Sequence, residues 1–341
     1  MAEAVTIAVD AMGGDHGAAM TVPAVCHLLK TDPDIRVVLT GLPAIVEPLL
    51  ATQAAFPGRL EFRACTETVA MDEVPADALR KKRDSSLRRA VDLVRDGEAE
   101  ACVSAGNTGA LMATARFVLK TLPGIQRPAI VSPIPATGGH THMLDLGAST
   151  GATPLQLMQF AVMGSVLAAD IHRIEKPRVG LLNIGTEENK GSEVLQEAGR
   201  LLRSGTLNYV GFVEGHDIMS GSVDVVVSDG FTGNVALKTM EGAVRMLVAT
   251  TREEIQRNWR TRLLGLFSRP LFRLMAKKLD PRVYNGATLV GLNGVVIKSH
   301  GAADDVAFRN AIRTAAIEAR KGVPKQIVEL LERQTVLEAS A

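Results

Sequence analysis

Residues 101–119 read ACVSAGNTGALMATARFVL, and this stretch contains the pattern that decides the fold. The apolar run Ala101–Ser104 suits a buried strand, Ala105–Gly109 suits a tight loop, and the segment that follows has helical spacing. The same order of strand, polar glycine-rich loop and helix occurs at seven places. Their strand runs are Thr6–Asp10, Arg36–Thr40, Ala101–Ser104, Met143–Leu146, Val179–Asn183, Val223–Ser228 and Val295–Lys298.

Strands that alternate with helices this regularly predict βαβ units and a mostly parallel sheet. In such sheets ligands bind beyond the carboxyl ends of the strands, so the loops there are the site candidates. No low-complexity linker divides the chain, and we expect residues 1–341 to form a single α/β catalytic domain. Residues 253–285 contain no strand run and are rich in basic and apolar residues, which predicts an inserted amphipathic helical hairpin.

Composition excludes some functions and favours others. The formal net charge is only +1 and aromatic residues make up 4%, which argues against a nucleic-acid-binding protein. The three cysteines show no C-x-x-C spacing, which favours reduced thiols in cytosol. The amino terminus lacks the basic and apolar regions of a signal peptide. We therefore expect a cytoplasmic protein.

Three loops share the chemistry of an anion site. Glycine allows close backbone approach, the free N–H groups of a helix start point at the anion, and Thr and Asn side chains add donors. We expect each loop to open a helix and all three to lie at one sheet edge. The alternative is that the Asn, Thr and Asp side chains only cap helices. The candidate residues are Gly106, Asn107, Thr108, Gly109, Asn183, Gly185, Thr186, Asp229, Gly230, Thr232 and Asn234.

Charged residues near these loops complete the candidate set. His16 and Asp15 lie in a glycine-rich turn after Asp10, an unusual place for a purely structural histidine. Lys190 follows the Asn183 loop, and Lys238 lies one helical turn after Asn234. Either lysine could reach an anion, or could simply be solvated. The remaining candidate substrate contacts are Asp10 and Asp145, each in or at the end of a strand run.

A second function fits another motif. Residues 147–151 read GASTG, a G-x-S-x-G between a strand and a helix, where a nucleophile elbow belongs. Ser149, Asp229 and His300 follow the order of the α/β-hydrolases, so a serine esterase or thioesterase is the alternative. His140, His142 and Asp145 form the one compact ligand-like group, for which a flexible loop is the expected structure. No Walker A or G-x-G-x-x-G motif occurs, and we expect neither metal nor cofactor.

These motifs together resemble one family. Residues 8–16 (AVDAMGGDH) look like the amino-terminal signature of the bacterial phosphate acyltransferases, and the resemblance extends from about residue 5 to about residue 315. One departure is Ser149, which stands where the family usually has asparagine. The further matching segments are residues 79–82 with 85–86, 104–110, 182–187 with 190–191, 229–234 with 237–239, and 298–301.

The resemblance implies a three-layer α/β/α fold related to the phosphotransacetylases and isopropylmalate dehydrogenases, and a homodimer. It implies transfer of a long acyl chain from acyl carrier protein to inorganic phosphate. The acyl phosphate would then pass to a membrane glycerol-3-phosphate acyltransferase. In such a reaction His16 and Lys190 would protonate the leaving thiolate or stabilise charge. The expected contacts to phosphate or to the oxyanion are Asn107, Thr108, Asn183, Thr232 and Asn234. A non-catalytic scaffold for the carrier protein is a third possibility.

The segment Trp259–Leu279 is predicted to be a membrane-contacting hairpin that Pro270 breaks into two short helices. Apolar side chains flanked by basic residues are typical of an interfacial helix on anionic lipid. This predicts peripheral association with the inner face of the cell membrane. The alternative is that the same stripe packs against a second subunit. The expected membrane contacts are Trp259, Leu263, Leu266, Phe267, Leu271 and Leu274.

Overall fold

The computed structural model describes residues 4–172, 174–278, 282 and 285–338. These residues form one 11-stranded sheet with helices on both faces. The strands are β1 Val5–Asp10, β2 Ile35–Gly41, β3 Leu60–Ala64, β4 Ala101–Ser104, β5 Ala129–Ala136, β6 Gly139–Leu144, β7 Arg178–Leu182, β8 Asn208–Val213, β9 Val225–Val227, β10 Ala287–Val290 and β11 Val295–Lys298. The helices are α1 Ala18–Thr31, α2 Pro43–Ala51, α3 Pro75–Lys81, α4 Ser86–Arg95, α5 Thr108–Leu119, α6 Pro154–His172, α7 Glu193–Ser204, α8 Gly230–Gln256, α9 Trp259–Phe267, α10 Arg269–Lys278, α11 Asp305–Lys321 and α12 Val323–Glu338, with a 3₁₀ helix at Gly215–Met219.

The sheet has two halves that run in opposite directions. Its order is β3-β2-β1-β4-β11-β10-β5-β6-β9-β7-β8. The first five strands are mutually parallel, and so are the last four. Between them, β10 is antiparallel to β11 and to β5, and β5 is antiparallel to β6. The predicted mostly parallel sheet is therefore confirmed, but the three antiparallel pairings reverse its second half.

Alternating side chains of the strands build three layers. Ile7 and Val9 of β1 pack with α1 and α11 on one face, while Ala8 between them packs with α4 and α5 on the other. In the second half, α6, α7 and α12 cover the face that α11 covers in the first. The 3₁₀ helix and the first turns of α8 cover the opposite face. Because the central strands have an apolar layer on each side, the near-continuous apolar runs of the sequence are explained.

All seven predicted strands are present, and four more strands were not predicted. These are β3, β5, β8 and β10. Strand β5 contains Pro133 and Pro135, which cannot donate to a ladder and which argue against a central strand. Their positions resolve this conflict, because β5 pairs with β10 only through residues 129–131. Beyond that point β5 pairs with β6 alone, like an edge strand.

The long helix α8 continues into two short helices with exposed surfaces. Only Gly230 and Gly233 of α8 are buried, and α9 buries no residue. The helical structure is interrupted between α9 and α10 at Ser268, two residues before Pro270. Residue 253, the predicted start of the hairpin, lies within α8, and Leu279 lies outside the described residues.

One described helix is apolar enough to cross a membrane by length and composition alone. It is the segment Pro154–Ile171 of α6, of which 67% is buried inside the protein. Phe160, Ala161 and Leu167 of this helix lie in the core of the second half of the sheet. Its apolar character is therefore accounted for by packing in this fold.

Candidate active site

The predicted site loops form two clusters, not one. The first loop cluster comprises residues 10–17, 104–109 and 299–301, which follow β1, β4 and β11. The second loop cluster comprises residues 145–149, 183–190 and 229–234, which follow β6, β7 and β9. Because the strands of the two halves run in opposite directions, their carboxyl ends do not lie on the same side. The two clusters lie at opposite edges of the sheet, measured along the strands. The prediction that all three donor-rich loops share one sheet edge is wrong.

A buried aspartate organises the first loop cluster. Asp10 is 2% exposed, accepts from the Ser104 hydroxyl at 2.7 Å and accepts from the backbone N–H of Met12 at 3.1 Å. Burial raises the pKa of the Asp10 carboxyl, and hydrogen bonds to Ser86, Ser104 and the backbone oppose that shift. Asp10 therefore joins loops from adjacent strands, and its direct contact with substrate stays a prediction.

The side chain of Asn107 is fully used by the protein. Its Oδ1 accepts from the N–H of Ala110 at 3.0 Å, which caps α5. Its Nδ2 donates to the carbonyls of Met71 at 2.8 Å and Glu73 at 2.9 Å. An amide nitrogen has two hydrogens, so both are committed. These bonds fit the capping alternative, and a contact between the Asn107 side chain and phosphate stays a prediction.

Other groups of the first loop cluster remain open to a ligand. Asp15, His16, Thr108 and Gly109 are exposed. The N–H of Asp15 donates to the carbonyl of Gly301 at 2.9 Å, which places His16 on a loop adjacent to the His300 loop. The start of α5 also presents backbone N–H groups, because the first turn of a helix has no internal acceptors. Gly106 is buried beneath this turn and donates to the Ser104 hydroxyl at 3.0 Å.

His300 is a candidate that the sequence assigned only to the hydrolase alternative. Its ring is exposed, and its Nδ1 accepts from the N–H of Ala302 at 3.1 Å. A ring nitrogen that accepts carries no proton, so a neutral His300 holds its proton on Nε2. His300 therefore presents an N–H donor beside the start of the Asp15 loop. The signal in the sequence was its position directly after a buried strand.

A second buried aspartate organises the second loop cluster. Asp145 is 0% exposed, and its carboxylate accepts from the backbone N–H groups of Ile130, Gly147, Ala148 and Ser149 at 2.8–3.2 Å and from the Ser149 hydroxyl at 2.8 Å. These five bonds show that Asp145 shapes the loop, and its contact with substrate stays a prediction. The expected flexible loop is also wrong, since His140 and His142 lie on β6.

The hydrolase triad is not assembled. The hydroxyl of Ser149 is buried, donates to Asp145 and accepts from the N–H of Gly230 at 3.1 Å. Asp229 instead caps α8, accepting from the N–H of Thr232 at 3.0 Å and its hydroxyl at 2.7 Å. His300 belongs to the first loop cluster. Ser149 therefore joins the β6 loop to the start of α8 and has no histidine among its described partners.

The loop after β7 differs from its prediction. It opens no helix directly, because α7 begins at Glu193 and is capped by Ser192. The Asn183 side chain is buried, accepts from the N–H of Ile184 at 2.8 Å and donates to the carbonyl of Lys190 at 3.1 Å. Asn183 thus folds the loop so that Lys190 lies near its base. Gly185 is buried and Thr186 is exposed at the tip.

The second loop cluster keeps two donors without a described partner. Asn234 is exposed at the first turn of α8, beside Gly147, and no described hydrogen bond uses its amide. Lys190 is exposed, and no described acidic side chain pairs with its ammonium. Lys238 differs, because its ammonium lies 3.0 Å from the Glu241 carboxylate. The structure therefore favours Asn234 and Lys190 over Lys238 as ligand-binding groups.

No described group of three or more His, Cys, Asp or Glu side chains could hold a metal ion. Besides the exposed carboxylates of Asp15, Glu187 and Glu188, the two clusters present hydrogen-bond donors: backbone N–H groups, an amide, an ammonium and imidazoles. Such a set suits an oxyanion or a phosphate.

Comparisons with known proteins agree with this geometry. Residues 5–326 match the family described as "Fatty acid synthesis protein". A phosphate acyltransferase of Nitrosococcus oceani is 56% identical over 329 residues, covering 96% of this chain and 97% of that protein. A phosphate acyltransferase of Alkalilimnicola ehrlichii is 54% identical over 333 residues, covering 97% of each. The chain belongs to the phosphate acyltransferase family.

Comparison of this acyltransferase with solved structures shows a similarity in fold alone. A phosphotransacetylase of Streptococcus pyogenes superposes with a TM-score of 0.62 at 18% identity, covering 93% of this chain and 94% of that one. The EutD phosphotransacetylase of Staphylococcus aureus gives 0.61 at 17% identity, with the same coverage. The predicted relation to the phosphotransacetylase fold is confirmed.

Proposed function

We propose that this phosphate acyltransferase moves a long-chain fatty acyl group from acyl carrier protein to inorganic phosphate, giving acyl phosphate for phospholipid synthesis. The observation that carries the proposal is the pair of outward-facing donors in the second loop cluster, Asn234 at the start of α8 and Lys190 in the loop after β7. The resemblance to acyltransferases over nearly the whole chain supports it.

The chemistry needs positioning more than it needs a reactive side chain. Phosphate is substantially dianionic near neutral pH, with a pKa of about 6–7 by analogy with phosphate esters, and is already a nucleophile. Its oxygen attacks the thioester carbonyl, and the carbon–sulfur bond breaks to release a thiolate, which is a tolerable leaving group. The protein must hold phosphate beside the thioester and stabilise the oxyanion. Asn234 and Lys190 of the second loop cluster can donate to these charges, and Lys190 can return a proton to sulfur. His16 and His300 lie at the opposite edge of the sheet, so they would contact another part of the acyl-carrier substrate.

The reaction itself is the first test. Purified protein with palmitoyl carrier protein and phosphate should release free carrier thiol and form acyl phosphate in equal amounts. Thiol release is measured by a thiol reagent and acyl phosphate by trapping with hydroxylamine. The hydrolase alternative predicts free fatty acid without phosphate. Thiol release that needs no phosphate and disappears in Ser149→Ala would refute the proposal.

A basic segment beside the first loop cluster supports an acidic carrier as donor. Arg80 and Lys81 end α3 and are exposed, and Arg83 follows them. Helix α3 packs against α5, and the loop before it accepts the amide of Asn107. Positive charge at this place would steer an acidic protein toward the start of α5.

We further propose that α9 and α10 contact an anionic membrane, which would place the protein peripherally at the inner face of the cell membrane. Trp259 is 70% exposed and Phe267 is 76% exposed, and Leu263, Leu264 and Leu266 lie exposed between them. Basic residues on the same helices would attract anionic lipid. This location would bring the amphiphilic product close to a membrane glycerol-3-phosphate acyltransferase. A homodimer is also expected, and the exposed face of α9 and α10 could serve as its subunit interface instead of contacting the membrane.

Replacing Leu266 and Phe267 by glutamate should abolish flotation with anionic vesicles and leave turnover of soluble substrate unchanged. Each side chain buried in lipid contributes about 1.5–3 kcal/mol, so the pair should lower vesicle affinity by more than about 100-fold. Val210→Glu, an exposed apolar position on β8, serves as the matched control. If the double variant gives monomers or aggregates while wild type is a dimer, the helices form a subunit interface and the membrane proposal fails.

A further inference from the structure

Lys298 is a buried cation that was not among the predicted site residues. It ends β11, is 8% exposed and follows the apolar run Val295–Ile297. Its ammonium donates to the carbonyl of Ala105 at 3.1 Å and to the carbonyl of Ser299. Ala105 lies in the loop after β4 and Ser299 in the loop after β11. One side chain therefore holds two parts of the first loop cluster together.

The hydrogen bonds around Lys298 connect all three segments of that cluster. The N–H of Ser299 donates to the carbonyl of Ser104 at 2.9 Å, and the Ser104 hydroxyl donates to Asp10 at 2.7 Å. The N–H of Asp15 donates to the carbonyl of Gly301 at 2.9 Å. The start of α5, the His16 loop and the His300 loop thus depend on one network, with Lys298 beneath it.

A charge at this position is energetically unfavourable for the fold alone. Burial lowers the pKa of Lys298 to about 8, although the nearby charges of Asp10 and Asp15 act in the opposite direction. A neutral amide could bridge the same two carbonyls without the cost of desolvating a full charge. Perturbed ionisable groups beneath a cluster of ligand-facing loops are typical of functional sites. The retained cation therefore requires a reason beyond packing.

We propose that Lys298 is a positioning residue of the acyl transfer, which acts through the carbonyls of Ala105 and Ser299 to fix the donors of the first loop cluster around one substrate. The inference rests on the proposed function. The groups that Lys298 positions are the backbone N–H groups at the start of α5 and the side chains of His16 and His300. Its positive charge also adds to the attraction of the α5 start for an anion.

Lys298→Gln is the sharpest variant, because glutamine keeps two N–H donors and removes the charge. Its kcat near neutral pH should fall by about 100-fold, the effect of a small misplacement of catalytic groups. Amide hydrogen exchange should become faster in residues 104–109 and 299–301 and stay unchanged in residues 183–190 and 229–234. Lys325→Gln, on the exposed surface of α12, is the matched control and should behave as wild type.

The pH profile separates positioning by charge from a purely structural role. Wild-type kcat should fall above about pH 8 as Lys298 loses its proton, and Lys298→Gln should lack this fall. Since the folded state binds this proton more weakly than the unfolded chain, the contribution of Lys298 to stability rises with pH above 8. Thermal melts over the same range therefore distinguish lost activity from unfolding. Both proteins share the other titratable groups near Lys298, which are Asp10, Asp15, His16 and His300 in the cluster and Cys102 on β4.

Two outcomes would overturn the inference. One is a folded Lys298→Gln protein with unchanged exchange in residues 104–109 and 299–301, and the other is wild-type kcat in that variant. If the variant does not fold, a wild-type kcat that stays constant from about pH 7 to about pH 9.5 would equally overturn it. Failure of the proposed function would look different from failure of this inference, because wild type would then form no acyl phosphate. The hydrogen-exchange measurement would still decide whether Lys298 holds the loops.

Discussion

Replacing Asn234 by alanine is expected to lower kcat for acyl phosphate formation by a factor of about 10²–10³. This is the usual effect of removing one preorganised donor to an oxyanion. The amide of Asn234 is exposed at the first turn of α8, and no described residue uses it. Asp229 already caps that helix, so the alanine variant should lose little stability. Steady-state kinetics and a thermal melt measure the two effects separately.

Asn208→Ala is the matched control for this prediction. Asn208 is an exposed asparagine at the start of β8, and it pairs with the start of β7, at the opposite end of that strand from the second loop cluster. Asn107→Ala is informative in another way. It removes a cap and two bonds to the loop at residues 71–73, so we expect lost stability, of about 1 kcal/mol from the cap alone. Near-normal turnover in Asn234→Ala would move the oxyanion site elsewhere.

The sequence was sufficient to locate seven of the eleven described strands but not to orient the sheet. Runs such as Val295–Lys298 have local signatures, because a strand buried on both faces is apolar throughout. Strand direction depends on pairings between distant residues, such as Leu144 with Val131. The prolines of β5 concealed the strand that reverses the sheet. The error that placed all loops at one edge follows from two missed strands, β5 and β10, whose antiparallel pairings reverse the second half of the sheet.

Side-chain roles were harder to predict than side-chain positions. Asn107, Asn183 and Asp145 lie in the loops where the motifs placed them, yet each is hydrogen-bonded to backbone groups of the protein. The sequence contains a signal for one of these roles, since Asn107 precedes a helical segment at the position of a cap. It contains none for the backbone partners of Asp145, which come from tertiary packing. Lys298 could have been noticed as a lysine that ends an apolar strand.

Gly233 connects the second loop cluster to the fold, and replacing it by alanine is expected to unfold or strongly destabilise the protein. A Cβ at Gly233 would overlap the carbonyl oxygen of Asp145 and lie 2.9 Å from the Ser228 hydroxyl oxygen. The obstacle is backbone that the Asp145 carboxylate itself holds in place, so it cannot move aside cheaply. We expect a loss of about 3 kcal/mol or more in the free energy of unfolding.

The same helix supplies the control that makes this prediction decisive. Gly242 is exposed within α8, and a Cβ there would meet nothing within 4 Å. Gly242→Ala should therefore stabilise the protein, by up to about 1 kcal/mol, because alanine is the better helix former. Urea denaturation of the two variants should give changes of opposite sign. If Gly233→Ala were as stable as wild type, the start of α8 would not pack on the Asp145 loop as described. Because that packing places Asn234 beside Gly147, the proposed oxyanion site would then lose its geometric basis.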